Sequence, residues 1–320
     1  MIRVAASPAV AALILLARDA RAPKDEPVNI KGPEGWVAAV AFTPDGKSIF
    51  SASADKTASL WDAASGDKRA TFAGHTDYVT AVAVTSDGKT LATGSYDKTA
   101  RLWDVNKAEE RKTLDGHKGA VLCVAFSPDD KTLATGSVDG TVKLWDAQTG
   151  EERGTLKGHK SWVNSLAFTP DLQTLASGGS DATVRLWDMA KLEQQAVLKV
   201  ESGEVRSVAI GDHGKVLAAG TRYGVVRVWD VANQKEIKRI PGDGMDVWAV
   251  AFTPDGKVLI TAEGDWKRPS EILLRNTDTW GKRGSFKHSG EVLCLAISGD
   301  GHLLAAGSWD RTIKVWRLVE

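Results

Sequence analysis

Three segments of the chain repeat a histidine, a hydroxyl residue and an aspartate at one spacing. They are His75, Thr93 and Asp97; His117, Thr135 and Asp139; and His159, Ser177 and Asp181. An imidazole between a hydroxyl and a carboxylate is the arrangement that activates a nucleophile in acyl-transfer enzymes. An enzyme needs one such site, whereas this set recurs three times at equal intervals. The recurrence favours a structural role, and we predict no catalytic residue.

Other signatures of catalysis, metal binding or cofactor binding are missing from the sequence. It contains no His-Glu-x-x-His, Cys-x-x-Cys, phosphate-loop or Gly-x-Ser-x-Gly pattern. Two cysteines, Cys123 and Cys294, are too few for a disulfide-built fold or a cysteine-rich zinc site. We therefore expect neither a metal nor a cofactor.

The charge balance argues against a nucleic-acid partner. The 320 residues include 41 basic and 41 acidic side chains, so the formal net charge is zero. Binding to phosphates requires clustered Lys and Arg, and the composition shows no such excess. With 42% hydrophobic and 26% charged residues, the chain has the composition of an ordinary globular protein.

Residues 1–22 differ from the rest and predict a secretory signal peptide. Arg3 supplies a positive start, Val10 to Ala17 is densely apolar, and Ala20-Arg21-Ala22 offers a small-x-small cleavage pattern. The apolar run is shorter than the ~20 residues that a membrane-spanning helix needs, so we expect no membrane span. The protein would then be exported to the periplasm or the extracellular space. If residues 1–22 are instead an uncleaved leader, we expect it in the cytoplasm.

A Trp-Asp pair recurs along the chain at a constant interval. The tryptophans of these pairs stand 42 residues apart, at positions 61, 103, 145, 187 and 229. Two degenerate units follow, ending at Arg275-Asn276 and Trp316-Arg317. Each unit contains four short runs of apolar or alternating residues separated by turn residues such as Asp87-Gly88. Seven units of four strands are the sequence signature of a β-propeller.

With its Trp-Asp pairs and the preceding Gly74-His75, Gly116-His117 and Gly158-His159, the chain resembles the WD40-repeat family. The resemblance implies an all-β fold, a seven-bladed propeller with four antiparallel strands per blade. Residues 23–320 would form this single domain. Few residues follow Trp316, so residues 28–31 are predicted to supply the missing strand of the last blade. A ring closed in this way can stand alone, and we expect a monomer.

The same resemblance implies a role for the repeated polar residues. In similar WD40 blades the histidine, hydroxyl residue, aspartate and tryptophan form a buried hydrogen-bonded set. Trp103, Trp145 and Trp187 would complete the three sets here. The fifth unit retains only Trp229, and the sixth has Asp243, Thr261, Asp265 and Arg275 in the four places. Both lack the shared set, so we expect their blades to be the least rigid.

The resemblance also points to a binding face. In related propellers the residue before the first valine of each inner strand lies at the mouth of the channel. These positions are aromatic in blades 1, 2 and 4 and acidic in blades 5, 6 and 7: Trp36, Tyr78, Trp162, Glu204, Asp246 and Glu291. Tyr96 and Trp309 precede turn aspartates and should lie on the same face. Trp266 lies in a longer loop of blade 6 and could be an interaction tip or a tolerated insertion.

Two functions fit this rim. The first is a non-enzymatic scaffold that binds a protein or peptide, with a basic side chain of the partner on the acidic residues and aromatic rings. The second is an enzyme or a small-ligand or cation binder that uses Glu204, Asp246 and Glu291. The aromatic residues favour the scaffold, since aromatic side chains are frequent anchors of protein interfaces.

Overall fold

The computed structural model describes residues 26–201, 203–265 and 268–318. The predicted signal peptide, residues 1–22, and Trp266 lie outside this described part. The first described strand, β1 (Val28–Lys31), belongs to the last blade of the molecule. Apart from two short 3-10 turns, all secondary-structure elements of the described residues are strands, and the strands form seven four-stranded sheets.

Blades 1 to 4 each take four consecutive antiparallel strands. Blade 1 comprises β2 (Val37–Phe42), β3 (Ser48–Ser53), β4 (Thr57–Asp62) and β5 (Lys68–Ala73). Blade 2 comprises β6 (Val79–Val84), β7 (Thr90–Ser95), β8 (Ala100–Asp104) and β9 (Glu109–Leu114). Blade 3 comprises β10 (Val121–Phe126), β11 (Thr132–Ser137), β12 (Thr141–Asp146) and β13 (Glu152–Lys157). Blade 4 comprises β14 (Val163–Phe168), β15 (Thr174–Gly179), β16 (Thr183–Asp188) and β17 (Glu193–Lys199).

The remaining blades repeat the pattern with small variations. Blade 5 comprises β18 (Val205–Gly211), β19 (Val216–Thr221), β20 (Val226–Asp230) and β21 (Lys235–Ile240), with short 3-10 turns at Asp212–Gly214 and Arg222–Gly224. Blade 6 comprises β22 (Asp246–Phe252), β23 (Val258–Asp265), β24 (Arg268–Asn276) and β25 (Lys282–Lys287). Blade 7 comprises β26 (Val292–Ile297), β27 (Leu303–Ser308), β28 (Thr312–Arg317) and β1.

The ring is closed by pairing the two ends of the described chain. Strand β1 runs antiparallel to β28, with Val28 opposite Val315 and Lys31 opposite Thr312. The first strands of the seven blades contact one another in sequence, and β26 contacts β2 to complete the circle. The predicted seven-bladed propeller and its closure by the N-terminal strand are confirmed. Closure pairs two strand edges that would otherwise be open to aggregation.

The core lies between neighbouring blades. Phe50 and Phe72 of blade 1, for example, pack against Val79, Leu91 and Trp103 of blade 2, and all five side chains are buried. A similar cluster joins Ile30 and Val315 of blade 7 to blade 1. Because each sheet has two apolar faces, every blade needs both neighbours to bury them. The stacked sheets hold the loops at one end of the ring in a stable arrangement.

Turns between the first and second strands share one local design in every blade except blade 5. In blade 2, Thr85 Oγ1 donates to Asp87 Oδ1 at 2.7 Å, and the Lys89 amide donates to the same oxygen at 2.9 Å. Gly88 has φ of +71°, a conformation that side-chain-bearing residues seldom adopt. The Asp-Gly turns of the repeat follow from this geometry.

Candidate functional site: the loop face at the channel mouth

One backbone hydrogen bond positions the residues at the mouth. In blade 2 the Tyr96 amide donates to the Tyr78 carbonyl at 2.9 Å, which joins the turn after the second strand to the start of the first. The Trp309 amide donates to the Glu291 carbonyl in blade 7 at the same distance. Blades 1, 3, 4 and 5 contain the equivalent bond. The mouth residues therefore lie at equivalent places around one face, which we call the loop face.

Four aromatic rings of three consecutive blades form a continuous row on the loop face. Trp309 and Trp36 stack with centroids 5.1 Å apart and planes 13° apart. Trp36 meets Tyr78 edge-on at 5.9 Å, and Tyr78 lies 5.9 Å from Tyr96. We call Trp309, Trp36, Tyr78 and Tyr96 the aromatic row.

The aromatic row is unusually exposed for such large side chains. Trp309 is 56% exposed, Tyr78 42% and Tyr96 41%. A contiguous exposed aromatic patch on a stable ring is typical of an interaction surface. Trp162 is also 46% exposed, but it makes no ring contact within the described part of the chain. Of the predicted aromatic residues, the structure thus brings four together and leaves Trp162 apart.

The predicted acidic residues, unlike the aromatic row, already have partners within this chain. Arg206 places Nη1 3.0 Å from Glu204 Oε2 and Nη2 3.2 Å from Asp246 Oδ2. Arg222 adds a second contact to Glu204, at 3.2 Å. Two of the three mouth carboxylates are therefore already paired with arginines of this chain.

The third carboxylate, Glu291, is held by a tryptophan. Trp248 Nε1 donates to Glu291 Oε1 at 2.9 Å, and the Arg206 guanidinium lies 4.7 Å from the centroid of the Trp248 ring. Burial raises the pKa of Glu291, and the nearby Asp246 acts in the same direction. The Trp248 ring thus lies between Arg206 and Glu291.

Arg206 and Trp248 occupy the same place in their strands, one that the sequence reasoning overlooked. The first strand of every blade shifts register by one residue directly after its leading valine. The extra residues are Ala38, Thr80, Leu122, Asn164, Arg206, Trp248 and Leu293. Several of them reach the next blade: Asn164 Nδ2, for instance, donates to the Val205 carbonyl at 2.8 Å. Comparing the residue after each valine, as well as the one before it, would have revealed them.

The repeated polar sets form directional chains of hydrogen bonds beneath the loop face. In blade 2, Trp103 Nε1 donates to Thr93 Oγ1 at 2.9 Å, and Thr93 Oγ1 lies 2.7 Å from His75 Nε2. His75 Nδ1 lies 2.7 Å from Asp97 Oδ2. Blade 3 repeats the chain with Trp145, Thr135, His117 and Asp139, and blade 4 with Trp187, Ser177, His159 and Asp181.

Protonation is consistent along each chain. Burial lowers the pKa of His75 more than Asp97 raises it, so the imidazole is neutral. Burial alone would raise the pKa of Asp97, but hydrogen bonds from Thr99 and His75 outweigh it and lower the pKa to about 2. His75 then donates from Nδ1 to the carboxylate and accepts the Thr93 proton at Nε2. Every polar atom in this chain has a partner.

These sets have the order of a catalytic triad without its access. Thr93, Thr135 and Ser177 are each 0% exposed, and each hydroxyl oxygen accepts a tryptophan N–H. A nucleophile must approach its substrate to within about 3–3.5 Å, which a fully covered oxygen does not allow. The geometry supports a structural role for these twelve residues.

Blades 1, 5, 6 and 7 vary the theme. Blade 1 keeps the Trp61 to Ser51 bond at 2.8 Å, with Pro33 in the histidine place. Blade 7 buries His288 but has Ala306 where the hydroxyl belongs. Blade 5 keeps Trp229 but has Ala219 in the hydroxyl place, and blade 6 has Arg275 in the tryptophan place.

In blade 6 the hydroxyl of the set has a carboxylate partner that the repeat does not predict. Thr261 Oγ1 donates to Glu263 Oε1 at 2.9 Å. Arg275, which stands in the tryptophan place, lies 3.8 Å from the same oxygen.

Among the described residues, no three His, Cys, Asp or Glu side chains are grouped so that they could hold a metal ion. Within the same residues, no helix has the length and hydrophobicity to cross a bilayer.

Comparison with known proteins agrees with this architecture. The WD domain, G-beta repeat family matches residues 26–62, 66–104 and 281–317. The family described as IFT122 first beta-propeller matches residues 97–283, more than half of the chain. One curated relative is U4/U6 small nuclear ribonucleoprotein PRP4 of Saccharomyces cerevisiae, which is 44% identical over 46 residues.

The match to that relative is local. It covers 14% of this chain and 10% of the yeast protein, so the aligned part spans about a tenth of the relative's length. The aligned stretch of 46 residues is about as long as one 42-residue unit. Together, the matched segments cover the two ends and the middle of the described chain. Together with the seven four-stranded blades, they show that the chain belongs to the WD40-repeat family of β-propellers.

Proposed function

We propose that this protein is a non-enzymatic scaffold that holds a protein or peptide partner on its loop face, at the aromatic row. WD40 propellers are generally non-enzymatic interaction scaffolds, which supports the general role. The observation that carries the proposal is the row itself: four rings in mutual contact, three of them more than 40% exposed.

The physical reason is the cost of leaving the row in water. Burying apolar surface contributes about 25 cal/mol per Å², and aromatic pairs add about 0.5–1.5 kcal/mol beyond that area. The rings already support one another, so little side-chain freedom remains to be lost on binding. A rigid aromatic patch of this kind is suited to a central interface anchor.

The experiment is affinity capture from the native host, followed by a binding titration with the purified partner. We expect the Trp36→Ala/Trp309→Ala variant to bind at least about 30-fold more weakly, which corresponds to a hot-spot loss of about 2 kcal/mol. Tyr223→Ala is the matched control, because Tyr223 is an exposed ring of blade 5 outside the aromatic row. Trp162→Ala tests the ring that stands apart.

The outcome that would contradict the proposal is a folded double variant that binds the same partner with unchanged affinity. Binding would then lie on the side or the opposite end of the ring. Weakening by Trp162→Ala alone would move the anchor from the aromatic row to blade 4.

The acidic mouth supports the alternative function, small-ligand or cation binding, less well. Glu204 and Asp246 are occupied by Arg206, so an added cation would have to displace a guanidinium. Thermal-shift titration with divalent cations and sugars discriminates the two functions. A saturable shift that Glu291→Gln abolishes would favour the alternative.

Export is a separate proposal that depends on residues 1–22. Their apolar run and Ala20-Arg21-Ala22 pattern predict cleavage after Ala22. The intact mass of the protein from its own host tests this. A mature chain beginning at Pro23 is expected, and a retained Met1 would contradict export.

A further inference from the structure

Arg206 stands out among the residues of the channel mouth. It occupies the extra position of the first strand of blade 5, and it is the only charged residue among the seven described extra residues. The others are aliphatic, aromatic or neutral polar side chains. A mostly buried charge at a place that tolerates apolar residues elsewhere needs partners, and here it has them.

The guanidinium is bound on three sides. Glu204 of its own blade and Asp246 of blade 6 accept from its two terminal nitrogens, at 3.0 and 3.2 Å. The ring of Trp248 covers it at 4.7 Å from the centroid. All three side chains belong to the mouth, so the contacts lie where a partner's side chain would enter.

Two carboxylates and an indole face are the groups that recognise an arginine from outside. The planar fork of a guanidinium matches carboxylate oxygens, and its face stacks on aromatic rings. The mouth thus contains the parts of an arginine-binding site, with the arginine supplied by the chain itself.

We propose that the acidic sector of the mouth is an arginine site filled from within by Arg206, which closes it to basic side chains of a partner. The proposal deepens the scaffold function and rests on it: the partner is selected by an uncharged apolar or aromatic anchor on the aromatic row. The basic side chain of a partner, which the sequence predicts at this site, could not bind there because Arg206 occupies the site.

The neighbouring groups do not reopen the site. Arg222 also contacts Glu204, at 3.2 Å, but it stacks over Tyr223 and lies on the solvent side. Glu291 already accepts from Trp248, and burial favours its neutral form. No mouth carboxylate described above is therefore left without a donor.

The test is a chemical rescue with blocked arginine (N-acetylarginine amide). Arg206→Ala should lower the melting temperature, because Glu204 and Asp246 lose their shared cation. Millimolar blocked arginine should restore part of the loss in a saturable way, and should bind the variant at least about tenfold more tightly than the wild type. Blocked leucine should give no specific shift.

Arg222→Ala is the matched control. It removes an arginine that contacts the same Glu204 but leaves Arg206 in place, so it should not create a site for blocked arginine. If Arg206→Ala does not fold, Arg206→Gln keeps most of the side-chain volume and is titrated in the same way. Protein-detected NMR would place the shifts at blades 5 and 6.

Two results would overturn the proposal. Wild-type protein that binds blocked arginine as tightly as Arg206→Ala would show that the site is open. Folded variants that bind no blocked arginine would show that the mouth is not an arginine site. Neither result bears on the aromatic row, whose failure is read from Trp36→Ala/Trp309→Ala.

Discussion

Blades 2–4 and blades 5–6 have the same four-strand geometry, but they stabilise the space beneath the loop face with different chemistry. In blades 2–4 a neutral imidazole joins a hydroxyl and a carboxylate, and a tryptophan N–H completes the chain. Blade 5 has Ala219 in the hydroxyl place, and its Arg227–Glu236 pair at 2.7 Å has an equivalent in blade 2, Arg101–Glu110 at 2.6 Å. In blade 6 Arg275 takes the tryptophan place and faces the buried Glu263. Buried side chains are therefore paired by a neutral hydrogen-bonded chain in blades 2–4 and by an arginine and a carboxylate in blade 6.

This difference predicts how strongly the stability of each blade depends on the protonation state and on the loss of a single side chain. In a hydrogen-bonded chain, four side chains satisfy one another's buried polar atoms, and only the aspartate is charged. In an ion pair, two side chains satisfy each other, so loss of one partner leaves a buried charge. Blades 5 and 6 also carry the charged half of the channel mouth, so their departure from the repeat coincides with the arginine site.

The largest effect is expected from Arg275→Ala in blade 6. It would leave Glu263 buried without a cation, at a cost of about 3–5 kcal/mol in the free energy of unfolding. Chemical denaturation at neutral pH measures the loss. Lys282→Ala is the control, because it breaks the exposed Lys282–Glu271 pair of the same blade and should cost less than about 1 kcal/mol.

A second variant sharpens this prediction. Burial raises the pKa of Glu263 above its usual value, so its ionised form costs more in the fold than in the unfolded chain, and stability falls as pH rises through the folded pKa. Glu263→Gln/Arg275→Ala should therefore recover part of the loss at neutral pH. A double variant as unstable as Arg275→Ala would argue against a buried charge as the cause.

Thr135→Val in blade 3 is expected to cost about 2–4 kcal/mol. It keeps the shape of the side chain but removes the hydroxyl between Trp145 Nε1 and His117 Nε2, which leaves two buried groups unpaired at about 1–3 kcal/mol each. Thr141→Val, at the edge of the same set, should lower the free energy of unfolding less and serves as the comparison. An unchanged unfolding free energy for Thr135→Val would show that the chain is not needed for stability.

Acid should weaken the blades that contain histidine before the others. Burial lowers the pKa of His288 from the usual 6.5 to about 4, and it also lowers the pKa of His75, His117 and His159. Because these pKa values are depressed in the fold, the stability is present above about pH 6.5 and is lost as pH falls towards 4. Unfolding titrations of wild type and His288→Asn measure this, and identical pH profiles would contradict it.

Hydrogen exchange compares the two regions directly. We expect amides of the inner strands in blades 5 and 6 to open with free energies about 1–2 kcal/mol lower than those in blades 2–4, because they lack the four-residue chain. Equal protection in both regions would show that the ion pairs replace the hydrogen-bonded set without loss of rigidity.

The smallest effect, a gain, is expected from Ala306→Ser in blade 7. This blade already contains His288, Asp310 and Trp316, and blades 1 and 4 hold a serine in the same place. Supplying the missing hydroxyl should stabilise the protein by about 0.5–1.5 kcal/mol. Ala305→Ser, on the neighbouring residue of the same strand, is the control and should destabilise it. A loss of stability with Ala306→Ser would indicate that blade 7 has repacked around the alanine.

Much of the fold was predictable from the sequence because its signals repeat. The 42-residue interval, the Asp-Gly turns and the terminal Trp-Asp pairs predicted seven blades, and the short segment after Trp316 predicted closure by residues 28–31. The members of the polar sets were predictable for the same reason. Glu263 was not, because the same position holds a serine or threonine in five other blades and a glycine in blade 4, so the repeat does not predict a carboxylate there.

Side-chain partners at the mouth were decided by the tertiary structure. Which residues reach the loop face could be predicted from the repeat, since register and strand period set the position of each one. It could not show that Trp309 of blade 7 stacks on Trp36 of blade 1, or that Arg206 is held by Glu204 and Asp246. The Trp309–Trp36 and Arg206–Asp246 contacts join different blades, and their geometry exists only once neighbouring blades have packed together.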